Sequence, residues 1–409
     1  MSQKAASPKD DLDASIEIFL LVVLGLFMVL FGGLLFGIDS GRLRYNPDST
    51  YGLFLVIVSF QSVALGKTPF GDFRRSWLLV GIGFIAATVG LFGSFIPGVS
   101  SDFLRTLVGV ILVVGGIALS AQLWISRHKA RAWLRAGGVL RHLTLACGLV
   151  YALGIILGIR TLVPGTLTNA QTAVILLAFG ISIFYLAGSI WQVERRYPRD
   201  PQARSTESTV HIGLLQSASV PLSHALLILL GIMLVLLGAL LFPVGLGLLP
   251  FSPDGQFGVL LTIMAIQAAS MGQTLGEFRR SWPIMAIALL FAGLGIFSSI
   301  VPGVLTNALR VLLGILNIAM GAWTLISVAL PLLAKTRSAP AQPDTVPVQV
   351  RRLTINQIAQ GCVGIAFGVG ALFPGLIPGL IVPVILVIYG LILFDLVVLL
   401  SKQAGLEAT

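Results

Sequence analysis

One stretch of the sequence occurs twice, and this duplication limits the folds that the chain can adopt. The first copy, GDFRRSWLLVGIGFIAATVGLFGSFIPGVSSDFLRTLVGVILVVGG, starts at Gly71. The second copy, GEFRRSWPIMAIALLFAGLGIFSSIVPGVLTNALRVLLGILNIAMG, starts at Gly276. At a constant offset of 205 residues, 19 of the 49 positions in 71–119 are identical. A match of this length indicates a duplicated structural unit, so two related halves are predicted.

The composition of the chain is that of a polytopic membrane protein. Of its 409 residues, 56% are hydrophobic and only 10% are charged, whereas soluble domains carry about 25% charged residues. Apolar runs of about 20 residues, the length of a membrane span, recur from end to end. The predicted class is therefore an all-α integral membrane protein rather than a large soluble core.

Twelve transmembrane helices are predicted, six in each half, built as helical hairpins with Pro-Gly outer turns. The spans lie near 16–38, 51–66, 77–97, 103–126, 139–158, 169–192, 222–244, 256–271, 282–301, 307–330, 356–373 and 379–401. The predicted domains are a cytoplasmic tail, a first membrane half, a cytoplasmic linker, a second membrane half and a C-terminal tail, at 1–15, 16–195, 196–221, 222–402 and 403–409.

The distribution of Lys and Arg predicts the topology. With the N-terminus in the cytoplasm, 21 of the 26 Lys and Arg residues fall in cytoplasmic segments. The five that face outwards are Arg42, Arg44, Arg105, Arg160 and Arg310. Because positive residues are retained on the inner side, both termini are predicted to be cytoplasmic. The same rule explains the net charge of +10 without nucleic acid as a partner.

The inner segment SRHKARAWLRAGGVLRH contains five basic residues and Trp133. One interpretation is an amphipathic helix that lies in the plane of the membrane on anionic lipid. The other is a solvated basic loop.

Pro-Gly pairs mark the turns of the predicted hairpins: Pro97-Gly98, Pro164-Gly165, Pro302-Gly303 and Pro374-Gly375. Proline presets φ and glycine tolerates positive φ, so the chain reverses tightly. After the first three turns, helix N-caps are offered by Ser101 or Asp102, Thr168 or Asn169, and Thr306 or Asn307. Glycines within the spans are expected to let helix backbones approach closely, namely Gly90, Gly109, Gly116, Gly295, Gly314 and Gly321.

The first hairpin, VGLFGSFIPGVSSDFLRTLVGVILVVGGIAL, resembles that of the HdeD-type acid-resistance membrane proteins of bacteria. The matching residues are Gly90, Leu91, Pro97, Val99, Ser100, Asp102, Leu104, Val108, Gly109 and Gly116 to Leu119. That family has six spans in three hairpins, so the resemblance implies two such units in tandem in a bacterial inner membrane. It also implies a stress-related or structural role without catalytic residues.

The chain also resembles the major facilitator transporters, which have six plus six spans and a charged motif after the second and eighth. GDFRRSW and GEFRRSW occupy those loops, without the usual Gly-x-x-x-Asp-Arg spacing. This resemblance implies secondary transport of a small molecule as the alternative function. A central cavity between the halves would favour transport, and a solid glycine-packed bundle would favour the first hypothesis.

The duplicated loops contain a candidate cytoplasmic latch: Asp72, Arg74, Arg75, Glu277, Arg279 and Arg280. In this interpretation the acid of one half pairs with an arginine of the other. The alternative is charge that only sets the topology, followed by an interfacial tryptophan.

Three polar residues lie inside predicted spans: Gln61, Gln267 and Asp395. The glutamines occupy equivalent places in the two shortest spans, where transporters bind substrates, but buried amides also form hydrogen bonds between helices. An ionised Asp395 at this depth costs about 2.5–3.5 kcal/mol. It is therefore interpreted either as a proton-linked functional group, or as a carboxyl that is bonded to a neighbouring helix or lies near enough to the inner surface to reach water.

No catalytic constellation is present in the sequence. The histidines His128, His142, His211 and His224 have no metal-ligand spacing, and no nucleophile elbow occurs. The sequence therefore predicts no enzyme, no cofactor and no metal site.

Reporter fusions test the predicted topology. Reporters fused at Ser40 and Gln256 are expected to lie outside the membrane, and those at Arg135 and Arg204 inside, because of the Lys and Arg distribution. Reversed signals at both pairs would overturn the assignment.

Overall fold

The computed structural model describes residues 15–64, 77–98, 101–197, 222–271, 282–337, 348–373, 376 and 380–406. In these segments the chain forms helices and no β-strand, which confirms the all-α class. The helices are α1 (Ile16–Asp39), α2 (Pro47–Ala64), α3 (Trp77–Phe95), α4 (Ser101–Ile125), α5 (Arg127–Ala136), α6 (Gly138–Leu162), α7 (Asn169–Arg196), α8 (Leu222–Gly245), α9 (Pro253–Met271), α10 (Trp282–Ile300), α11 (Thr306–Arg337), α12 (Val348–Leu372) and α13 (Ile381–Leu406).

Within the described residues, nine helices are long and apolar enough to cross a membrane: α1, α4, α6, α7, α8, α10, α11, α12 and α13. The chain is therefore a multi-pass membrane protein. Three more spans were expected at α2, α3 and α9, which are not among these nine, so the number twelve stays a prediction.

The outer faces of several helices are apolar. On α4, Trp124 and Ile125 are 74% and 79% exposed, and on α11 Trp323 is 70% exposed. Large apolar side chains in such numbers are unfavourable in water. A lipid bilayer is the environment that covers them.

The helices form two compact units that do not follow the order of the sequence. The first unit comprises Met1–Ser223 and Ser252–Val304, and the second comprises His224–Phe251 and Leu305–Thr409. In the first unit, α9 and α10 pack against α1, α2 and α3. The predicted sequence halves, at 16–195 and 222–402, stay a prediction about which segments are homologous.

Paired helices run antiparallel and approach each other at glycine in each unit. A Cβ atom on Gly90 of α3 would lie 2.6 Å from the carbonyl oxygen of Gly52 on α2. The same distance separates a Cβ atom on Gly321 of α11 from the carbonyl oxygen of Gly361 on α12. The other glycines singled out in the sequence would place a Cβ atom 2.6 to 3.2 Å from a carbonyl oxygen of the partner helix: Gly109, Gly116, Gly295 and Gly314. Their expected role in close backbone packing is confirmed.

Many of these glycines recur after seven residues, a spacing that the sequence analysis did not single out. Seven residues complete almost two helical turns, so both glycines of a pair face the same partner. The pairs are Gly25 and Gly32 on α1, Gly83 and Gly90 on α3, Gly109 and Gly116 on α4, Gly231 and Gly238 on α8, Gly314 and Gly321 on α11, and Gly361 and Gly368 on α12.

The Pro-Gly turns have the expected backbone conformation. The φ angles of Gly98, Gly165 and Gly303 are 83°, 91° and 86°. After the second turn, Thr168 is the N-cap of α7 and forms a capping box with Gln171. Of the two predicted N-caps at this turn, Thr168 and Asn169, the first is therefore confirmed. The fourth turn, Pro374-Gly375, lies outside the described residues.

A matched pair of glycines on α3 tests the backbone packing. Gly90→Ala is expected to lower the melting temperature in detergent, because overpacking against the α2 backbone costs about 1–3 kcal/mol. Gly81→Ala is the control, since a Cβ atom there meets no atom within 4 Å. It is expected to leave the melting temperature unchanged or slightly raised. Equal melting temperatures for both variants would contradict the packing argument.

Candidate functional site

All residues of the candidate latch lie outside the described residues: Asp72, Arg74, Arg75, Glu277, Arg279 and Arg280. The latch therefore stays a prediction.

Gln61 joins two helices of the first unit. Its side chain is 8% exposed, and its Nε2 donates a hydrogen bond of 3.1 Å to the carbonyl oxygen of Leu20 on α1. Gln267 is half-buried on α9 and also has an interaction partner. Gln61 thus makes the interhelical bond that one interpretation expects, while a ligand-binding role for either amide stays a prediction.

Asp395 lies against α12 within the second unit. The Nδ2 of Asn356, a residue 5% exposed, is 3.4 Å from Oδ2 of Asp395 and 3.2 Å from the carbonyl oxygen of Ile392. Gln360 donates to Oδ1 of Asn356 at 3.1 Å and so orients its amide. The carboxyl therefore has a partner on a neighbouring helix, and its proton-linked role stays a prediction.

The basic segment after α4 forms the short helix α5. Ala130 is buried in an apolar cluster with Leu143 and Cys147 of α6. The Nζ of Lys129 lies 4.9 Å from the centre of the Trp133 ring, a cation–π contact. The basic side chains are exposed, namely Arg127, Lys129, Arg131 and Arg135. The helix is amphipathic, as one interpretation expects.

Two buried carboxylates, which the sequence analysis missed, bind the turns of the duplicated hairpins. The backbone N–H of Gly98 donates to Oδ2 of Asp48 at 2.6 Å, and that of Gly303 donates to Oδ2 of Asp254 at 3.1 Å. Asp48 is 3% exposed and Asp254 is 6% exposed. Both acids lie in the first turn of a helix, where the helix dipole favours negative charge. Each carboxylate therefore connects the start of its own helix, α2 or α9, to the Pro-Gly turn that follows the next helix, α3 or α10.

The residue that precedes α2 also forms a hydrogen bond with the end of α10, and the residue that precedes α9 forms one with the end of α3. The N–H of Asn46 donates to the carbonyl oxygen of Ile300 at 3.2 Å, and the N–H of Ser252 donates to that of Phe95 at 3.0 Å. Asn46 Nδ2 reaches Ser252 Oγ at 3.3 Å. The contacts are reciprocal, so the two helix starts form one polar junction within the first unit.

The sequence signal for this junction is a short repeated motif. Asn46-Pro47-Asp48 corresponds to Ser252-Pro253-Asp254, with a capping side chain followed by proline at the first helical position. The motifs are 206 residues apart, whereas the duplicated stretch is offset by 205. A comparison at one constant offset therefore misaligns them.

A cavity of about 160 Å³ lies among α1, α2, α4, α6 and α7 of the first unit. Its inner wall is apolar and includes Phe27, Met28, Phe54, Leu112 and Leu176. The rings of Phe27 and Phe54 are 5.8 Å apart between centroids, in a tilted arrangement. This end therefore suits an apolar group of compact shape.

The end of the cavity next to the helix termini, which we call the mouth, is polar and cationic. Arg105 lies near the start of α4 and Arg160 in the last turn of α6, where Nε of Arg160 donates to Thr172 Oγ1 at 3.1 Å. The hydroxyl of Tyr51 forms a hydrogen bond with Tyr45 and interacts electrostatically with both guanidinium groups. The sequence analysis identified these arginines only as outward-facing charges.

The charged and polar groups of the mouth are only partly compensated by their neighbours. Nη2 of Arg105 is 3.1 Å from Oδ1 of Asp102, whose side chain is 91% exposed, so this ion pair is weak. Nε of Arg105 is buried and has no hydrogen-bond partner among the described residues. Burial raises the pKa of Tyr45 well above its usual value, so its hydroxyl stays a hydrogen-bond donor.

Substitution of Asp48 tests the carboxylate–turn contact. Asp48→Ala removes the buried carboxylate that accepts from the N–H of Gly98, so we expect a loss of about 1.5–3 kcal/mol, as for a hydrogen bond to a charged group, and a lower melting temperature in detergent. Asp102→Ala removes an exposed acid and is expected to change the melting temperature little. An unchanged melting temperature for Asp48→Ala would argue against a structural role of the contact.

Comparisons with known proteins assign no family to the chain. No family model, no curated protein and no solved structure matches it. Its function is therefore inferred from the contacts of its own residues.

Proposed function

We propose that the chain is a non-enzymatic protein of the bacterial inner membrane with a structural or stress-related role, similar to the HdeD type. In this proposal it has twelve spans in two homologous halves, with both termini in the cytoplasm and the Pro-Gly turns outside. The observation that carries it is the recurrence of the same contacts in both copies of the repeat. The acid–turn bond occurs at Asp48 and Asp254, and the glycine contact occurs at Gly90 and Gly295.

The physical basis for a stress-related role is the chemistry of the helix contacts. Helices that touch through backbone atoms at glycine bury no titratable group at the contact, as between Gly52 and Gly90 or between Gly314 and Gly368. Stability depends on pH only through groups whose protonation differs between the folded and unfolded states. The glycine contacts themselves therefore add no pH dependence to the stability, in contrast to the acid–turn bonds of Asp48 and Asp254.

The inner surface adds a lipid interaction to the proposal. The exposed basic side chains of α5 attract anionic headgroups, each contributing about 1 kcal/mol near a charged membrane. Trp133, which lies on the same helix as Arg131 and Arg135, suits the membrane interface. In this arrangement α5 lies in the plane of the membrane.

Secondary transport of a small molecule is the second candidate function, and the cavity is the observation that favours it. This cavity is lined by α1, α2, α4, α6 and α7, all of which belong to the first predicted half. Transport of the major facilitator type would use a cavity between the halves. Because the cavity lies within one half, transport is a weaker candidate than the structural or stress-related role.

Survival at low pH tests the proposed function. A strain that lacks the chain is expected to survive acid challenge less well than its parent, because the proposed bundle supports the membrane under stress. Expression of the wild-type chain should restore survival, and so should Asp395→Asn, since the structural role needs no proton transfer.

The opposite pattern would favour transport. If Asp395→Asn folds and fails to restore survival, and if proteoliposomes with the wild-type chain take up protons that the variant does not, the carboxyl is coupled to movement of a solute. Equal survival of parent and deletion strains would overturn the stress-related role.

A further inference from the structure

The cavity of the first unit combines a cationic mouth with an apolar base. We propose that it binds a small monocarboxylate whose apolar body is about the size of a benzene ring. The site goes beyond the proposed function and does not depend on it, because binding in this unit requires neither transport nor a stress role.

The volume and lining of the base set the size of the apolar body. The cavity measures about 160 Å³, and a protein cavity of about 150 Å³ with a similar apolar lining accepts benzene. Phe27 and Phe54 supply ring faces, and Leu112 and Leu176 supply aliphatic contacts. A long acyl chain exceeds this volume, so the cavity does not enclose it.

The arginines of the mouth set the charge of the ligand. Guanidinium groups bind carboxylates through parallel, charge-assisted hydrogen bonds. The Nε of Arg105 is buried without a partner among the described residues, so it still requires an acceptor. The bond from Arg160 to Thr172 fixes the second guanidinium beside the same cavity. One bound anion satisfies the donor and reduces the repulsion between the two positive charges.

Acidic groups around the mouth limit the ligand to a single negative charge. Asp102 is bonded to Arg105, Asp39 accepts a hydrogen bond from Asn169 at 2.8 Å, and Asp48 is bonded to Gly98. Asp39 and Asp102 are exposed and act weakly, whereas Asp48 is buried and interacts electrostatically with Tyr45 and Tyr51 of the mouth, so Asp48 opposes a second negative charge, as on a phosphate dianion. The apolar base likewise has no donors for additional oxygens. A monocarboxylate with an apolar body satisfies both ends of the cavity.

The corresponding positions of the second half lack most of these polar groups. Arg105 corresponds to Arg310 at an offset of 205, and Nε of Arg310 is also buried without a partner among the described residues. One arginine therefore belongs to the repeat and does not by itself indicate a ligand. The other polar groups are replaced by apolar or small residues. At the offset of 206 that relates the starts of α2 and α9, Tyr45 corresponds to Phe251 and Tyr51 to Phe257. At the offset of 210 that relates Pro164-Gly165 to Pro374-Gly375, Arg160 corresponds to Gly370 and Thr172 to Val382. The repeat itself does not require them, which supports a role in ligand binding.

Titration calorimetry of the purified full-length chain in detergent tests the proposal with three probes. Benzoate carries the carboxylate and the ring, benzamide carries the ring without the charge, and inorganic phosphate carries charge without a ring. We expect benzoate to bind at least about tenfold more tightly than either of the others, because a hydrogen bond to a charged group contributes that much. Equal binding of benzoate and benzamide, preferential binding of phosphate, or no benzoate binding at millimolar concentration would each overturn the proposal.

Matched variants locate the site. Arg105→Gln and Arg160→Gln are expected to weaken benzoate binding at least about tenfold, and Leu112→Trp is expected to abolish it by filling the base. Arg310→Gln removes the corresponding arginine of the second half and should leave the affinity unchanged. Leu112→Trp leaves the charged mouth intact, so it keeps the proposal testable if an arginine variant fails to fold. Undiminished binding by folded Leu112→Trp, or an equal loss in Arg310→Gln, would place the ligand elsewhere.

Discussion

The close approach of antiparallel helix backbones at glycine is the contact on which the rest of the structure depends. In lipid the hydrophobic effect does not drive helices together, so association rests on van der Waals contact and interhelical hydrogen bonds. A side chain at Gly90 or Gly321 would meet the partner backbone within 2.6 Å. Because the glycines recur after seven residues, both members of a pair contact the same partner helix. Together they form a line of close contact about two turns long, which we call a seam. The large side chains that remain, such as Trp124, are turned outwards to lipid.

The two buried carboxylates fix the ends of helices that the glycine seams bring together. Asp48 and Asp254 accept from the N–H of a glycine with positive φ, so each acid stabilises the turn as well as its own helix start. The junction between the helix starts is not perfectly duplicated. Where the first copy has Ser49, the second has Gly255, because a Cβ atom there would collide with the carbonyl oxygen of Ser94 and approach Ser49 Oγ at 2.6 Å. Two equal side chains do not fit where equivalent positions meet.

The sequence predicts those features that arise from local chemistry. The helical class, the Pro-Gly turns and the capping threonine Thr168 depend on residues close to each other along the chain, and the packing glycines such as Gly109 are recognised by residue type within an apolar span. The acid–turn contacts were missed because Asp48 and Asp254 stand outside the predicted spans and are offset by 206 residues rather than 205. The cavity was missed because its lining comes from five helices, whose pairing is not encoded in the period of any one of them. Arg105 and Arg160 could be assigned a side of the membrane but not a common site.

Backbone packing at glycine also explains how one half of a duplicated chain can acquire a cavity that the other lacks. The seams between α4 and α6 and between α11 and α12 use corresponding glycines, Gly109 and Gly314 among them. Side chains on the other faces of these helices do not enter the seam, so they vary without loss of the pairing. A guanidinium at a helix end keeps its head near water while its stem lies along apolar surface, so its insertion cost is modest. The replacement of Gly370 in one half by Arg160 in the other is therefore tolerated by the fold, and its chemistry is available for a ligand.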